Sequence, residues 1–190
     1  MRIHRATAYK ISLPFTADFS HSRRKGNEAQ NVVVEVVTPD GEIKGYGEAA
    51  PRTYVTGESQ ESVVKCFKHF LHKDTFPWKL TDVSQIWEFI DSLPYDKEVN
   101  SAVCALEMSL LDLLAKYENK SILEYFPKDY YTDKIHYGAG IPFADSHRII
   151  DICRFIKKLK ITKVKIKMGR SFAANKEPII SMSEAFFNCT

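Results

Sequence analysis

The sequence is short of cysteine, and its cysteines are far apart. The 190 residues contain four, at positions 66, 104, 153 and 189, and no CxxC pair is present. This absence excludes the common zinc and dithiol redox motifs. Cys66, Cys104 and Cys153 lie among apolar residues at helical spacing, which is typical of small buried side chains. Thiols that stay reduced indicate a cytoplasmic protein.

Long apolar runs are also missing. The most apolar stretch, Ala102–Ala115, is interrupted by Glu107 and Asp112. A membrane-spanning helix needs roughly 20 consecutive apolar residues, so we expect no membrane partner. The residues after Met1 carry charges without an apolar segment behind them, and we expect no signal peptide.

The sequence has no large surplus of charge of one sign. Lysine and arginine number 27 against 24 aspartates and glutamates, which gives a formal net charge of +3. Proteins that bind nucleic acid usually concentrate basic residues on one face or in one run, and the clusters here are short. We therefore expect no nucleic-acid partner. The HExxH, GxGxxG, P-loop and GxSxG motifs are absent as well.

The first fifty residues have the pattern of an antiparallel meander. Strands are predicted at Ile3–Leu13, Asn31–Thr38 and Ile43–Glu48, where β-branched residues are frequent. Pro39–Gly41 is a turn, because proline presets φ and glycine tolerates positive φ. The polar segment Thr16–Gln30 shows no period and is predicted to be a long loop.

Three helices are predicted next, because the apolar period changes from two residues to 3.6. Their apolar stripes run from Val63 to Leu71, from Val83 to Leu93 and from Val99 to Tyr117. Strands followed by helices indicate an α+β domain with the helices packed on one face of the sheet.

A βαβ unit is predicted after residue 132. A strand at Ile135–Ile141, a helix with the stripe Ile149–Leu159 and a strand at Val164–Met168 follow one another. Strands joined in this way are parallel, with a right-handed crossover. The chain is too short for a complete (β/α)₈ barrel, which takes roughly 250 residues.

The predicted organisation therefore has three parts. Residues 1–132 form the α+β domain, and residues 133–169 form the start of an α/β domain. Residues 170–190 form an atypical tail, in which Glu184–Phe187 could begin a helix but no stripe develops.

Two lysines at the end of the last predicted strand are the most informative candidates for chemistry. Lys165 and Lys167 are two residues apart, so in a strand they point to the same face. Adjacent ammonium groups disfavour each other's charged form, and a neutral lysine can act as a general base. The spacing alone equally suits a solvated edge strand whose lysines prevent aggregation.

Two polar segments are candidates for binding. The arginines of His21–Gly26 could hold an acidic ligand, although a solvated loop explains the same composition. Pro51–Glu58 could line a pocket, although Thr56 and Glu58 could also begin the following helix by capping it.

Four segments, in order, carry a resemblance to a known family. They are Gly45–Pro51, Val55–Glu58, Ala105–Leu113 and Lys163–Gly169. Over residues 1–170 the chain resembles the N-terminal part of enolase-superfamily enzymes of the muconate-lactonizing subgroup. Within that subgroup it is most similar to the dipeptide epimerases of the L-Ala-D/L-Glu type.

The resemblance implies a capping domain followed by a modified (β/α)-barrel, of which this chain holds the first βαβ unit. It implies proton abstraction next to a carboxylate and stabilisation of the enolate on Mg²⁺. By the KxK match, Lys167 would be the base, and Lys165 would favour its neutral form and help to neutralise the carboxylate. Capping-domain loops would bind the substrate, through Arg24 and through Tyr54, Thr56 and Gly57.

The sequence departs from the family pattern after residue 169. The family places three acidic metal ligands on the third, fourth and fifth barrel strands and a second lysine on the sixth, and nothing here matches them. We therefore expect no metal ligand and no activity from the chain alone. The open strand edge at Val164–Met168 could support self-association, and the alternative function is that of a non-catalytic truncated protein or an assembly module built on the capping domain.

Overall fold

The computed structural model describes residues 1–21, 24–94, 96–128, 132, 134–142, 144–169 and 171–187, with the side chains of 16–27 and 187 outside that description. The chain divides into two compact units. The first consists of Met1–Thr16 and Asn27–Tyr131, and the second of Ala17–Gly26 and Thr132–Thr190.

A three-stranded antiparallel sheet forms the base of the first unit. Its strands are β1 (Arg5–His21), β2 (Arg24–Val37) and β3 (Lys44–Ala49), in that order. On β2 the buried side chains of Val32, Val34 and Val36 alternate along the strand, because successive residues point to opposite faces. The predicted meander is confirmed.

The predicted loop at Thr16–Gln30 is wrong. Outside residues 22 and 23, which lie beyond the description, the backbone of this segment belongs to β1 and β2. A two-stranded ribbon is held by hydrogen bonds between backbones, which do not depend on the side chains. Such a ribbon leaves no apolar alternation in the sequence, so the periodicity could not reveal it.

Three helices follow this sheet, as predicted. They are α1 (Gln60–Leu71), α2 (Ser84–Asp91) and α3 (Asn100–Glu118), followed by a short 3₁₀ helix at Ile122–Tyr125. Fully buried side chains from all three helices form one core with β2, among them Val63, Ile86 and Leu106.

Two glycines let α3 lie directly on β3. A Cβ atom at Gly45 would meet the backbone of Ser109 and Leu113, and one at Gly47 would meet the backbone of Ala105. A side chain at either position would therefore force the helix away from the strand.

The second unit contains the predicted parallel pair of strands. In the parallel pair of β4 (Gly138–Ile141) and β5 (Lys163–Ile166), Gly140 lies opposite Lys165. The crossover helix α4 (Ser146–Lys158) begins at Asp145, whose Oδ1 accepts a hydrogen bond from the Arg148 amide at 2.9 Å. Ile141, Ile149, Cys153 and Ile156 form a small separate core.

Within the predicted tail, residues 172–187 form a helix. Helix α5 (Phe172–Phe187) packs against α4, and Ala185 joins the small core. Its inner face consists of Asn175, Pro178, Met182, Ala185 and Phe186 at spacings of three and four. An asparagine and a proline occupy the first two of these positions, so no apolar stripe was visible in the sequence.

Within the described residues, no helix is long and apolar enough to cross a membrane.

Candidate active site

An arginine anchors the loop between β3 and α1 to the sheet. One guanidinium nitrogen of Arg52 donates to the carbonyl oxygens of Pro51 (2.6 Å) and Gln30 (3.2 Å) and to Asn31 Oδ1 (3.1 Å). The amides of Val55 and Thr56 both donate to the Arg52 carbonyl. The loop therefore turns tightly around Arg52.

The three predicted binding residues of this loop lie together in the first unit. Tyr54 and Thr56 are half-buried, and Gly57 is exposed. Gly57 adopts a φ of +87°, a conformation that L side chains rarely take. Thr56 points its hydroxyl at Glu58, to whose Oε2 it donates at 2.8 Å.

Glu58 is a buried carboxylate that holds this loop to α3. Its side chain is only 1% exposed. Oε1 accepts the Ser101 amide at 2.9 Å, and Oε2 accepts the Ser101 hydroxyl. Helix α3 has no side-chain cap of its own at Val99, so Glu58 supplies one from a distant part of the sequence.

The sequence predicted the wrong cap for α1. That helix begins at Ser59, whose side chain accepts the Ser62 amide while the Ser62 hydroxyl accepts the Ser59 amide. Thr56 and Glu58 do not cap it. The partner of Glu58 lies 43 residues along the chain, which no local pattern could indicate.

A glutamine joins the start of α1 to two strands. Gln60 Nε2 donates to the carbonyl oxygens of Ile11 (2.8 Å) on β1 and Asn31 (2.7 Å) on β2. Asn31 in turn donates to Glu48 Oε1 at 2.6 Å. Polar side chains of the loop region are thus paired with β1, β2 and β3 at one end of the sheet.

The two predicted catalytic lysines lie at the end of β5 in the second unit. Lys165 is exposed and Lys167 is half-buried, one residue beyond the strand. The Lys167 amide donates to the Ile141 carbonyl at 3.0 Å, which continues the pairing with β4. Val164 and Ile166 contact the small core, whereas Met168 is 43% exposed.

A buried asparagine fixes the turn that follows these lysines. Asn175 Oδ1 accepts the Gly169 amide at 2.7 Å, and Asn175 Nδ2 donates to the Gly169 carbonyl at 2.9 Å. The asparagine is 9% exposed. No signal in the sequence pointed to it, because residues after 170 matched no expected pattern.

The remaining predicted binding residue is Arg24. Its backbone begins β2, and its side chain lies outside the described part of the chain. The loop residues belong to the first unit and the two lysines to the second.

The described residues do not fit a Mg²⁺ ion. Among them, no three histidine, cysteine, aspartate or glutamate side chains lie close enough to share a metal. The buried Glu58 carboxylate is fully engaged with Ser101 and Thr56. We therefore assign no metal-binding role to any of the described residues.

Comparisons with known proteins identify relatives for both units. Residues 6–126 match the N-terminal domain of the mandelate racemase/muconate lactonizing enzyme family. An aromatic dipeptide epimerase from Herpetosiphon aurantiacus is 29% identical over 179 residues, which are 90% of this chain and 48% of that protein.

Two solved structures share the fold. A substrate-liganded L-Ala-D/L-Glu epimerase from Bacillus subtilis superposes with a TM-score of 0.77 at 22% identity, over 98% of this chain and 51% of that one. A dipeptide epimerase from Enterococcus faecalis V583, complexed with Mg and the dipeptide L-Leu-L-Tyr, gives 0.76 at 18%, over 97% and 51%. The chain spans about half the length of these relatives.

Proposed function

The chain belongs to the mandelate racemase/muconate lactonizing enzyme family, and on that premise we propose that it is the N-terminal part of a dipeptide epimerase. Residues 1–132 form its capping domain, and residues 133–169 start its barrel. The observation that carries this proposal is the pair Lys165 and Lys167 at the carboxyl end of β5. Catalytic groups in barrels of this kind lie at the carboxyl ends of strands.

Lys167 is the proposed base. Its neutral amine takes the proton from the substrate carbon next to a carboxylate. Lys165, two residues earlier on the strand, supplies an ammonium group that attracts the substrate carboxylate.

The loop around Arg52 supplies substrate contacts in this proposal. Tyr54, Thr56 and Gly57 face the substrate, and Arg24 pairs with an acidic side chain. Support comes from the anchoring of this loop by Arg52 and Glu58, because a binding surface must hold one shape to select its ligand.

The only support for magnesium comes from relatives, one of which is complexed with Mg and a dipeptide. The described residues provide no site for the ion, and no step proposed here uses it. We propose that the 190-residue chain alone does not epimerise dipeptides.

A fusion protein tests the proposed function. Residues 1–169 of this chain are joined to the remaining barrel of the Bacillus subtilis L-Ala-D/L-Glu epimerase. We expect the fusion to epimerise at least one dipeptide of a panel with acidic, apolar and aromatic second residues. The Lys167→Ala fusion should lose epimerisation by about three orders of magnitude or more, because one face of the substrate loses its base.

Three controls make the fusion result decisive. Circular dichroism and thermal unfolding establish that each fusion folds, and Lys163→Ala is the matched lysine variant on the same strand. Arg24→Ala should weaken activity only toward dipeptides with an acidic residue. A folded fusion that is as active with Lys167→Ala as without it contradicts the proposed base.

One observation favours a second candidate function, a self-assembling module. Exposed apolar side chains are frequent on the second unit, with Phe172 at 85%, Phe155 at 62% and Leu159 at 55% exposure. Its described sheet has two strands, so each has an unpaired edge. We propose that a second copy of this chain covers these apolar side chains and the unpaired strand edge. Analytical ultracentrifugation then shows a monomer–dimer equilibrium that Lys163→Pro weakens, whereas a monomer at all concentrations contradicts it.

The cytoplasm is the proposed compartment. Cys66, Cys104 and Cys153 are all free thiols. Of the three, only Cys153 is buried as the sequence predicted, whereas Cys66 is half-buried and Cys104 is exposed. Partial burial raises the pKa of each of the three thiols.

A further inference from the structure

Asn175 has an unusual pair of partners. Its side-chain amide makes both of its hydrogen bonds to one residue, accepting from the Gly169 amide and donating to the Gly169 carbonyl. The side-chain amide thereby satisfies the backbone N–H and C=O of Gly169, as a neighbouring strand would do in a sheet. The asparagine is 9% exposed, so water competes weakly for these bonds.

Helix α5 does not need Asn175 in order to begin. The Ser171 hydroxyl accepts the Ala174 amide at 3.4 Å, and the Ser171 carbonyl accepts the Asn175 amide at 3.2 Å. These bonds serve the first turn of the helix. The side chain of Asn175 points back to Gly169, so its contribution lies in the turn before the helix.

This turn carries the proposed base. Gly169 follows Lys167 by two residues, and the Lys167 amide is already fixed to the Ile141 carbonyl at 3.0 Å. The backbone from Lys167 to Gly169 is therefore held at both ends, by β4 on one side and by α5 on the other. A side chain leaves its backbone in a direction set by φ and ψ, so holding both ends limits where the Lys167 amine can reach.

We propose that Asn175 is a positioning residue, which sets the placement of the Lys167 amine relative to Lys165 through its two hydrogen bonds to Gly169. The proposal rests on the role given to Lys167 in the proposed function. The proposed positioning needs no further barrel strands, because Lys165, Lys167, Gly169 and Asn175 all belong to the second unit.

Two measurements on the 190-residue chain test this proposal. Amide hydrogen exchange of Gly169 reports whether the Gly169 amide is bonded to Asn175. Competitive acetylation with trace acetic anhydride, read by peptide mass spectrometry, reports the ratio of Lys167 to Lys165 reactivity, with Lys158 on α4 as reference. A merely structural asparagine would move the first readout without the second.

The variants are Asn175→Leu, which removes both bonds at similar volume, and Asn175→Asp, which keeps the acceptor. Ala173→Leu adds the same side chain at an exposed position of α5. In Asn175→Leu we expect Gly169 exchange to rise about tenfold, the effect of one lost hydrogen bond. The acetylation ratio should change by about threefold or more, because a displaced amine differs in exposure and in charge coupling to Lys165.

Asn175→Asp should change the ratio less than Asn175→Leu, and Ala173→Leu should leave both readouts unchanged. If Asn175→Leu does not fold, the Asn175→Asp comparison decides. Faster Gly169 exchange with an unchanged lysine ratio overturns the proposal, and so does unchanged Gly169 exchange. A changed ratio together with an active Lys167→Ala fusion would leave Asn175 as the residue that places Lys167 and would refute Lys167 as the base.

Discussion

At the residue scale, buried polar side chains decide how the candidate site is held. The sequence singled out Lys165 and Lys167 as candidates, because two residues on one strand face are a local pattern, and their role remains a prediction. It could not identify the role of Glu58 or Asn175. Glu58 pairs with Ser101, far along the chain, and Asn175 reaches back to Gly169 from a helix without an apolar stripe.

Truncation of the Glu58 side chain should lower the stability of the fold. Glu58→Ala leaves the Ser101 amide and the Thr56 hydroxyl without their buried partner, and it removes the only side-chain cap that α3 has among the described residues. We expect a loss of about 3 kcal/mol in the free energy of unfolding, measured by urea denaturation. Glu61→Ala is the matched control, because Glu61 pairs with Lys10 on the surface. Equal effects of the two substitutions would contradict the assigned role of Glu58.

Tyr125 should make stability depend on pH in the alkaline range. Burial and then a hydrogen bond to Glu118 raise the pKa of Tyr125 from 10.0 to about 12. The folded chain holds this proton more tightly than the unfolded chain does. Its contribution to stability is therefore complete below pH 10 and is lost as the pH rises to about 12.

Comparison of Tyr125→Phe with the parent isolates this effect. The difference in urea midpoint between parent and variant should shrink as the pH rises from 10 towards about 12. Tyr117→Phe, at a 51% exposed tyrosine on α3, should show no such trend. A parent–variant difference that is constant with pH would contradict the raised pKa.

At the element scale, the sequence predicted those elements that bury an apolar face. Strand β3 and helices α1 to α4 all have one, and their periodicity located them within a few residues, whereas β2 begins at Arg24, well before its predicted start at Asn31. The ribbon over residues 16–21 and 24–30 and helix α5 were missed for a common reason, which is that neither shows an apolar repeat in the sequence. The ribbon is held by backbone pairing, and α5 packs through an asparagine and a proline as well as apolar residues.

The contact between α3 and β3 gives the sharpest prediction for an element. Gly47→Ala places a methyl group against the Ala105 backbone, which cannot rotate away as a side chain could. We expect a loss of about 3 kcal/mol, seen as a lower melting temperature in calorimetry. Gly140→Ala on β4 is the control, because a Cβ there meets nothing within 4 Å. Equal melting temperatures for the two variants would contradict the close packing.

At the scale of the whole molecule, this chain spans about half the length of its relatives. The described residues provide no cluster that could hold Mg²⁺. Isothermal titration of Mg²⁺ into the 190-residue chain should therefore show no stoichiometric binding. Tight binding to one site would mean that carboxylates of this chain form a metal site, and candidates such as Glu48, Asp145 and Glu177 would then be substituted in turn.

The central claim is that Lys167 is the base for one face of the substrate. The most direct test follows exchange of the α-hydrogen with D₂O by ¹H NMR, for each epimer of an accepted dipeptide, in the fusion protein and its Lys167→Ala variant. The account predicts that Lys167→Ala abolishes exchange of one epimer and preserves exchange of the other, because a second base serves the opposite face. Undiminished exchange of both epimers in the folded variant would contradict it.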